Sequence, residues 1–432
     1  MVPDRAVPIK IWRPLISLII MSIFTKHIEY FYSIGYTKIM FQRSLLKTLS
    51  DRVQENRSFI QILQGPRQVG KTTLVSQLER KKILPTLYVT TEDSATRNLE
   101  WIETHWLRAR QLAAQHGKAL LIIDEIQKIE NWSEIVKKLW DKDSRQKLNL
   151  QVLLLGSTPL FAGRGIRESL AGRFEVVYAP HWSYKEMREC FAYTLDEYLY
   201  FGGYPGSAPL RKEPIRWRRY VRDSIIEATV SRDLLASHEI KKPALLRNLF
   251  FLCSEYSGQI LSYTKMLGQL QDAGNSTTLA HYLQLLSQSG MVEGLQKKSP
   301  QKLRTRNSSP KLLALDPSLI TAVNEKAFPE WKKDPELYGR LVENIVGVHL
   351  SLNARCNGGQ LTYWSDGNLE LDFVYEFEGK MLAIEVKSGK RRRSVPGLSV
   401  FKNHFPNAVP LIVGTGGVPL DEFLESELTA WL

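Results

Sequence analysis

The sequence predicts an α/β chain in three parts: a parallel sheet core built on a phosphate-binding loop, a helical winged-helix-like region, and a second α/β unit at the C-terminus. Three observations predict it. Gly65-Pro66-Arg67-Gln68-Val69-Gly70-Lys71-Thr72 fits G-x-x-x-x-G-K-[ST] at every fixed position. It stands between an apolar, β-prone run (Phe59 to Leu63) and a run with apolar residues at helical spacing (Thr72 to Leu78). A second apolar run, Ala119 to Ile123, ends on Asp124-Glu125, and Glu343, Asp372 and Glu385-x-Lys387 recur on a helix and two strands near the end of the chain.

The loop needs those residue types. Gly65 and Gly70 free the backbone to curl, so that successive N–H groups face phosphate oxygens. The helix beginning near Lys71 adds its positive end. Gly65, Pro66, Arg67, Gln68, Val69, Gly70, Lys71, Thr72 and Thr73 then form a nucleotide cradle. Lys71 reaches the β- and γ-phosphates of ATP and Thr72 ligates Mg²⁺. The acid-ended run is a strand buried on both faces, and its C-terminal end is where an open α/β sheet binds ligands. Asp124 belongs to the magnesium shell and Glu125 polarises the attacking water. A chance glycine loop and a strand ending in solvated acids are the competing readings. The two motifs together favour a P-loop NTPase core with ATP and Mg²⁺ as its nucleotide and ion.

The chain in order supports the same core. Phe41 to Leu49 reads as a short helix, Thr86 to Thr90 as a second strand, and Arg97 to Gln115 as a long helix. Trp132, Ile135, Val136, Leu139 and Trp140 have helical spacing, and Gln151 to Thr158 is another buried strand. Ser157 or Thr158, at its polar end, either bonds the γ-phosphate or attacking water or caps the strand. Strands alternating with helices imply right-handed crossovers. Arg173, in Ser169-Leu170-Ala171-Gly172-Arg173, has two readings. It supplies charge to a γ-phosphate, in the same subunit or across an oligomer interface, or it is a solvated arginine after a C-cap glycine. Arg164 and Arg167 compete for the first role.

With these residues in hand, the chain resembles a group of prokaryotic AAA+ ATPases that carry a C-terminal DUF4143 domain. The resemblance rests on G-P-R-Q-V-G-K-T, on L-L-I-I-D-E, on the G-S-T strand end, on S-L-A-G-R and on Phe201-Gly202-Gly203-Tyr204-Pro205. Tyr220 through Ser231-Arg232-Asp233-Leu234 resembles the helix that follows in the group. The similarity runs from about Met40 to the C-terminus. It implies Lys71 and Thr72 for nucleotide and magnesium, Asp124 for magnesium, Glu125 for water activation, and Ser157 as the γ-phosphate sensor. One stretch departs: of the group's L-x-x-L-S/T-x-x-E, only Ser183 and Glu186 are present. No second-sensor arginine stands out.

Beyond the core, Ile260 to Leu267 and Thr277 to Leu286 read as two helices, and Gly290-Met291-Val292-Glu293 opens a strand. This is winged-helix order, and the second helix is either a recognition helix or a packing element. The segment Lys297-Lys298 to Lys311, with Arg304 and Arg306, is the better phosphate-contact candidate. In the last part, Asp372 begins a strand, and alternation puts Glu385 and Lys387 on one face of the next. Glu343, Asp372, Glu385 and Lys387 resemble a PD-(D/E)xK nuclease core, which implies carboxylates for Mg²⁺ and a lysine for the hydrolytic water. An inactive nucleic-acid- or partner-binding relic is the other reading. Lys390-Arg391-Arg392-Arg393 follows as a backbone-phosphate candidate or a solvated loop.

The balance of 58 Lys+Arg against 45 Asp+Glu, net +13 over 432 residues, points to acidic partners, nucleic acid first; a solvated basic surface is the plainer reading. Cys190, Cys253 and Cys356 lie far apart, which argues against a disulfide framework or a metal cluster. The apolar stretch Pro14 to Phe24 is too short for a comfortable membrane span and lacks a following cleavage site. The expected divisions are an N-terminal extension (1–39, with Met40 as an alternative start), an ATPase domain (40–190), a helical and winged-helix-like region (191–315) and a nuclease-like domain (316–432). A cytoplasmic location follows from ATP chemistry. A protein partner and a homo-oligomer stay open.

Overall fold

The apolar runs around the glycine loop become strands covered by helices on both faces, which is why they lack polar alternation. The computed structural model describes residues 41–93, 97–157, 169–237, 240–271, 274–299, 308–324, 326–389 and 396–432. Every element below lies in the unit Arg43–Leu432. The first are α1 (Leu45–Gln54), β1 (Ile60–Gly65), α2 (Lys71–Arg80), β2 (Thr86–Thr90), α3 (Leu99–His116), β3 (Ala119–Asp124), α4 (Trp132–Arg145), β4 (Leu150–Ser157) and β5 (Phe174–Tyr178). The strands form one parallel sheet in the order β2-β3-β4-β1-β5.

Alternate residues of each strand divide between two cores. Ile62, Leu121, Ile123, Val152 and Leu154 pack with Trp106 of α3 and Trp132 and Val136 of α4. Leu63, Leu120, Ile122, Leu153 and Leu155 pack with Leu46 and Leu49 of α1 and Leu74 and Leu78 of α2. Each such side chain, taken fully out of water, contributes about 1.5–3 kcal/mol. The long helix has the ends its sequence asks for: the Asn98 side chain accepts the Trp101 backbone N–H, and Gly117 closes it at φ 78°.

The middle region runs α5 (Tyr184–Phe191), α6 (Leu195–Phe201), α7 (Pro214–Tyr220), two π-helical turns (Val221–Glu227 and Thr229–Asp233), α8 (Pro243–Glu255), α9 (Tyr263–Gln269), α10 (Ser276–Gln288), and an antiparallel hairpin of β6 (Val292–Leu295) and β7 (Lys311–Ala314). Ser183 and Glu186 form a capping box at α5. The helix expected from Ile260 starts only at Tyr263. Ser262 caps it, and Ile260 is drawn off into a β-bridge with Lys311. The Gly202-Gly203 step is a close approach. A side chain at Gly202 would collide with the Asp316 carboxylate, and one at Gly203 with the Trp182 carbonyl. Gly203 N–H donates to Asp316 Oδ2 at 2.6 Å. Residues 316–321 thereby pack back on the middle region.

The last sheet unit opens with α11 (Pro335–Asn357), capped by Asp334, whose carboxylate accepts the Glu336 and Leu337 N–H groups. It continues with β8 (Gln360–Asp366), β9 (Leu369–Phe377), β10 (Lys380–Lys387), α12 (Pro396–His404), β11 (Val409–Gly414) and α13 (Leu420–Glu425). The sheet order is β11-β10-β9-β8. β8, β9 and β10 are antiparallel neighbours, and β11 lies parallel to β10. Asp372, expected at the start of its strand, lies inside β9. Among the described residues no helix is long and apolar enough to cross a membrane.

Candidate active site

The loop after β1 joins α2 at Gly70, where φ is 89°, and Gln68 is also left-handed at φ 59°. Gly70 therefore needs its freedom for the turn. Gly65 needs it for a different reason from the expected curl: a side chain there would collide with the Ala179 carbonyl beyond β5. Lys71 Nζ donates to the Gly65 and Pro66 carbonyls, at 2.9 and 2.7 Å. Burial pushes its pKa down to about 8, against the pull of Glu125 and Asp124.

The acid-ended strand meets the loop. Thr72 Oγ1 lies 3.3 Å from Asp124 Oδ2, which also accepts Tyr88 Oη at 2.9 Å. Asp124 Oδ1 accepts the Glu125 N–H at 2.9 Å. Burial, then the Asp124 charge, raises the Tyr88 hydroxyl, so it stays a proton donor to Asp124. Glu125 sits at φ 55°, a conformation that non-glycine residues adopt at a cost and that clusters at functional sites. Gln127 Nε2 donates to its carboxylate at 2.7 Å, and Thr91 Oγ1 donates to its carbonyl at 2.9 Å. A hydroxyl and a carboxylate side by side are hard oxygen donors of the kind Mg²⁺ prefers, so Thr72 and Asp124 fit that ion. Thr73 is exposed on the first turn of α2.

Three further loop residues are held by the rest of the chain. Arg67 forms an ion pair with Asp233. Gln68 Nε2 donates to the Ser224 carbonyl and its Oε1 accepts from Tyr220 Oη, both at 2.7 Å. The Val69 carbonyl accepts Trp182 Nε1 at 3.0 Å. Buried Arg43 also reaches that carbonyl at 3.4 Å while pairing with Glu186 at 2.7 Å. Tyr88, Tyr220, Ser224 and Asp233 were missed as partners of the loop by sequence reasoning. Tyr220 and Asp233 at least stand in a stretch that the family resemblance marks. Ser183 and Glu186, the surviving part of a departed motif, build the capping box and the Arg43 pair.

Two expected catalytic residues fare differently. Ser157 pairs in register with Gly65, so its backbone lies beside the loop; its side chain lies outside the described residues, as do Thr158, Arg164 and Arg167. For Arg173 the same-subunit role fails. The residue precedes β5, and its carbonyl accepts the N–H of Ile60, at the far end of β1 from the loop. Five strand steps of ~3.3 Å separate the two ends. The guanidinium pairs with Asp141 at 2.7 Å. It therefore does not reach a γ-phosphate of its own subunit.

In the last sheet unit, β9 and β10 run antiparallel with Ile384 opposite Phe373, which brings Asp372 beside Glu385, and Val386 N–H donates to Asp372 Oδ2 at 2.7 Å. Glu343 of α11 approaches Asp372, and so does Glu370, which the sequence reading missed although alternation puts it on the same face of β9. Oxygens of Glu343, Glu370 and Asp372 lie within 4.8 Å of one another. Lys311 of β7 sits among them, its side chain 0% exposed. Its Nζ lies 2.5 Å from Glu343, 2.9 Å from Glu370 and 3.4 Å from Asp372. Burial alone would lower its pKa, but the joint pull of Glu343, Asp372 and Glu370 raises it, so Lys311 stays a cation. Glu385 and Lys387 pair with each other instead. A divalent ion does not fit a carboxylate cluster whose centre already holds an ammonium. Lys311 is thus no phosphate contact, and Lys298 is paired with Glu376 at 2.6 Å. Arg304, Arg306 and Lys390 to Arg393 lie outside the described residues, as do residues 1–39. On α10, the exposed positions Thr277, His281 and Gln284 include no lysine or arginine.

The family match over the first sheet agrees with the P-loop core. Residues 57–188 match an AAA domain family, residues 192–329 a domain of unknown function (DUF8612), and residues 338–423 a domain of unknown function (DUF4143). The chain thus joins an AAA-type P-loop domain to a C-terminal DUF4143 domain. It is similar to the uncharacterized protein Rv2008c of Mycobacterium tuberculosis, 28% identical over 360 residues that span 80% of this chain and 73% of that protein. The uncharacterized protein MJ1544 of Methanocaldococcus jannaschii is 24% identical over 344 residues, 75% of this chain and 73% of its own. A solved structure of the Aeropyrum pernix ORC1 protein in complex with DNA aligns at a TM-score of 0.30 and 12% identity, over 69% of this chain and 96% of that one.

Proposed function

We propose that the chain is a magnesium-dependent ATPase that couples nucleotide turnover to binding or remodelling nucleic acid. The observation that carries the ATPase reading is the meeting of Lys71, Thr72 and Asp124 where β1 and β3 end, with Thr72 Oγ1 3.3 Å from Asp124 Oδ2. Lys71 leaves the Gly65 and Pro66 carbonyls for the β- and γ-phosphates, and its charge is then held by the nucleotide. Thr72 and Asp124 would hold Mg²⁺, which screens the phosphate charge. Glu125 orients the attacking water and takes its proton. The surplus of +13 supports a polyanionic partner.

A second reading is a nucleotide-switched protein scaffold. It is favoured by the grip of Arg67 and Gln68 on residues 220–233, which links loop geometry to a helical surface, and by the uncharged solvent face of α10. A metal-dependent nuclease gated by ATP is disfavoured by the Lys311 cluster. The test is Mg²⁺-dependent ATP hydrolysis, with and without duplex and single-stranded DNA, beside Lys71→Ala. Turnover that rises with DNA and drops by about 100-fold or more in the variant supports the first reading. Turnover indifferent to DNA moves the choice to the scaffold. Equal turnover in both proteins removes the ATPase reading.

A further inference from the structure

Three carboxylates, two half-buried and one exposed, surround one buried lysine in the C-terminal unit, and the lysine comes from elsewhere. Lys311 belongs to β7, the second strand of the hairpin that pairs with β6 in the middle region. Glu343 belongs to α11, and Glu370 and Asp372 to β9. We infer that this cluster is a cation socket filled by the Lys311 ammonium, so that the C-terminal unit takes no divalent metal and uses its nuclease-like carboxylates to hold β7. This rests on the placement of Glu343 and Asp372 and goes against the metal-site reading of those residues, independently of the ATPase.

The geometry carries it in four steps. Lys311 Nζ touches oxygens of all three carboxylates, at 2.5, 2.9 and 3.4 Å, with its side chain 0% exposed. An ammonium has three donors, and here three acceptors surround it. A magnesium or manganese ion would need the same oxygens at about 2.0–2.2 Å and would stand against the ammonium charge. The pairing of β7 holds the Lys311 backbone beside the cluster: the Leu312 carbonyl accepts the Gly258 N–H at 2.8 Å, and Lys311 itself bridges Ile260. The remaining pair of the expected nuclease set, Glu385 and Lys387, neutralise each other. The three carboxylates thus share one ammonium, which, with the Lys298–Glu376 pair, ties the middle region to β9.

The experiment is a Mn²⁺ titration of the full chain without nucleotide, followed by electron paramagnetic resonance, on the natural protein, Lys311→Met, Asp372→Asn and the double variant, with melting temperature recorded beside it. The natural protein and Asp372→Asn are expected to bind Mn²⁺ alike. Lys311→Met is expected to melt roughly 10 °C lower, to gain one Mn²⁺ per chain that Asp372→Asn removes, and to recover part of its melting temperature with Mn²⁺. If Lys311→Met does not fold at all, Lys311→Arg, which keeps the cation, is expected to fold; failure of Lys311→Met beside success of Lys311→Arg supports the socket. A Mn²⁺ site in the natural protein that Asp372→Asn abolishes overturns the inference. So does a Lys311→Met protein that melts unchanged and gains no ion. Loss of ATP hydrolysis in the Lys71→Ala protein bears on the other site alone, so the two readings fail separately.

Discussion

The chain contains two clusters built from the same residue types, a lysine among carboxylates at the ends or faces of strands, and they solve the charge problem in opposite ways. At the AAA domain, Lys71 rests on two backbone carbonyls and its pKa is pushed down to about 8, while Asp124 is held by two hydroxyls, those of Thr72 and Tyr88. Neither charge cancels the other, so both are free to meet a phosphate and its ion. In the C-terminal unit, Lys311 takes three carboxylates to itself and its pKa is raised. The difference teaches that acids at the right spacing are not yet a metal site. What decides is whether the nearest lysine is satisfied by neutral carbonyls or by those acids.

Three perturbations would break or sharpen the contrast. The largest is Glu125→Gln, expected to lower ATP turnover by about 10²–10⁴-fold while nucleotide binding persists, read by steady-state hydrolysis beside fluorescent-nucleotide binding. Unchanged turnover would remove Glu125 from the chemistry and weaken the claim that the first cluster is held open for a substrate. Next is Glu343→Gln, which takes one of the three acceptors from Lys311. It should cost about 2–4 kcal/mol of stability by denaturant unfolding and leave ATP turnover unchanged. A change in turnover with no change in stability would mean that the second cluster is not a structural pair.

The smallest effect is chemical. With its folded pKa near 8, below the ordinary lysine value of 10.5, Lys71 loses its proton as pH rises through about 8. Acylation by an amine-reactive reagent should therefore begin at Lys71 about two pH units before it does at surface lysines, as read by peptide mass spectrometry, and ATP should protect it. The raised pKa of Lys311 keeps it charged across the same range, and it should stay unlabelled until the protein unfolds. Early labelling of Lys311 would contradict its pairing.

Much of the first cluster could be read directly. The glycine loop and its helix are contiguous, and each step follows from local backbone needs, so Lys71, Thr72 and Asp124 fell where the spacing put them. Gly65 is less legible, because the Ala179 carbonyl that excludes a side chain there comes from the residue after β5. Arg173 shows the limit more plainly. A glycine followed by an arginine says nothing about which end of a strand it meets, and the parallel register put it at the far end from the loop. In the C-terminal unit, alternation placed Glu385 and Lys387 on one face and could have added Glu370, but it could not name Lys311 as their neighbour.

The sequence by itself determined the doubly covered parallel strands, the phosphate loop with its lysine and threonine, the acid-ended strand, and a helix and two strands bearing the later carboxylates. These follow from residue periodicity and from contacts only a few residues apart. Only the tertiary structure decided that Arg67 and Gln68 hold residues 220–233, that Arg173 faces Asp141, and that Lys311 enters the Glu343, Glu370 and Asp372 cluster. Each of these joins segments tens of residues or more apart, and a charged or polar side chain takes whichever partner the packing brings within reach.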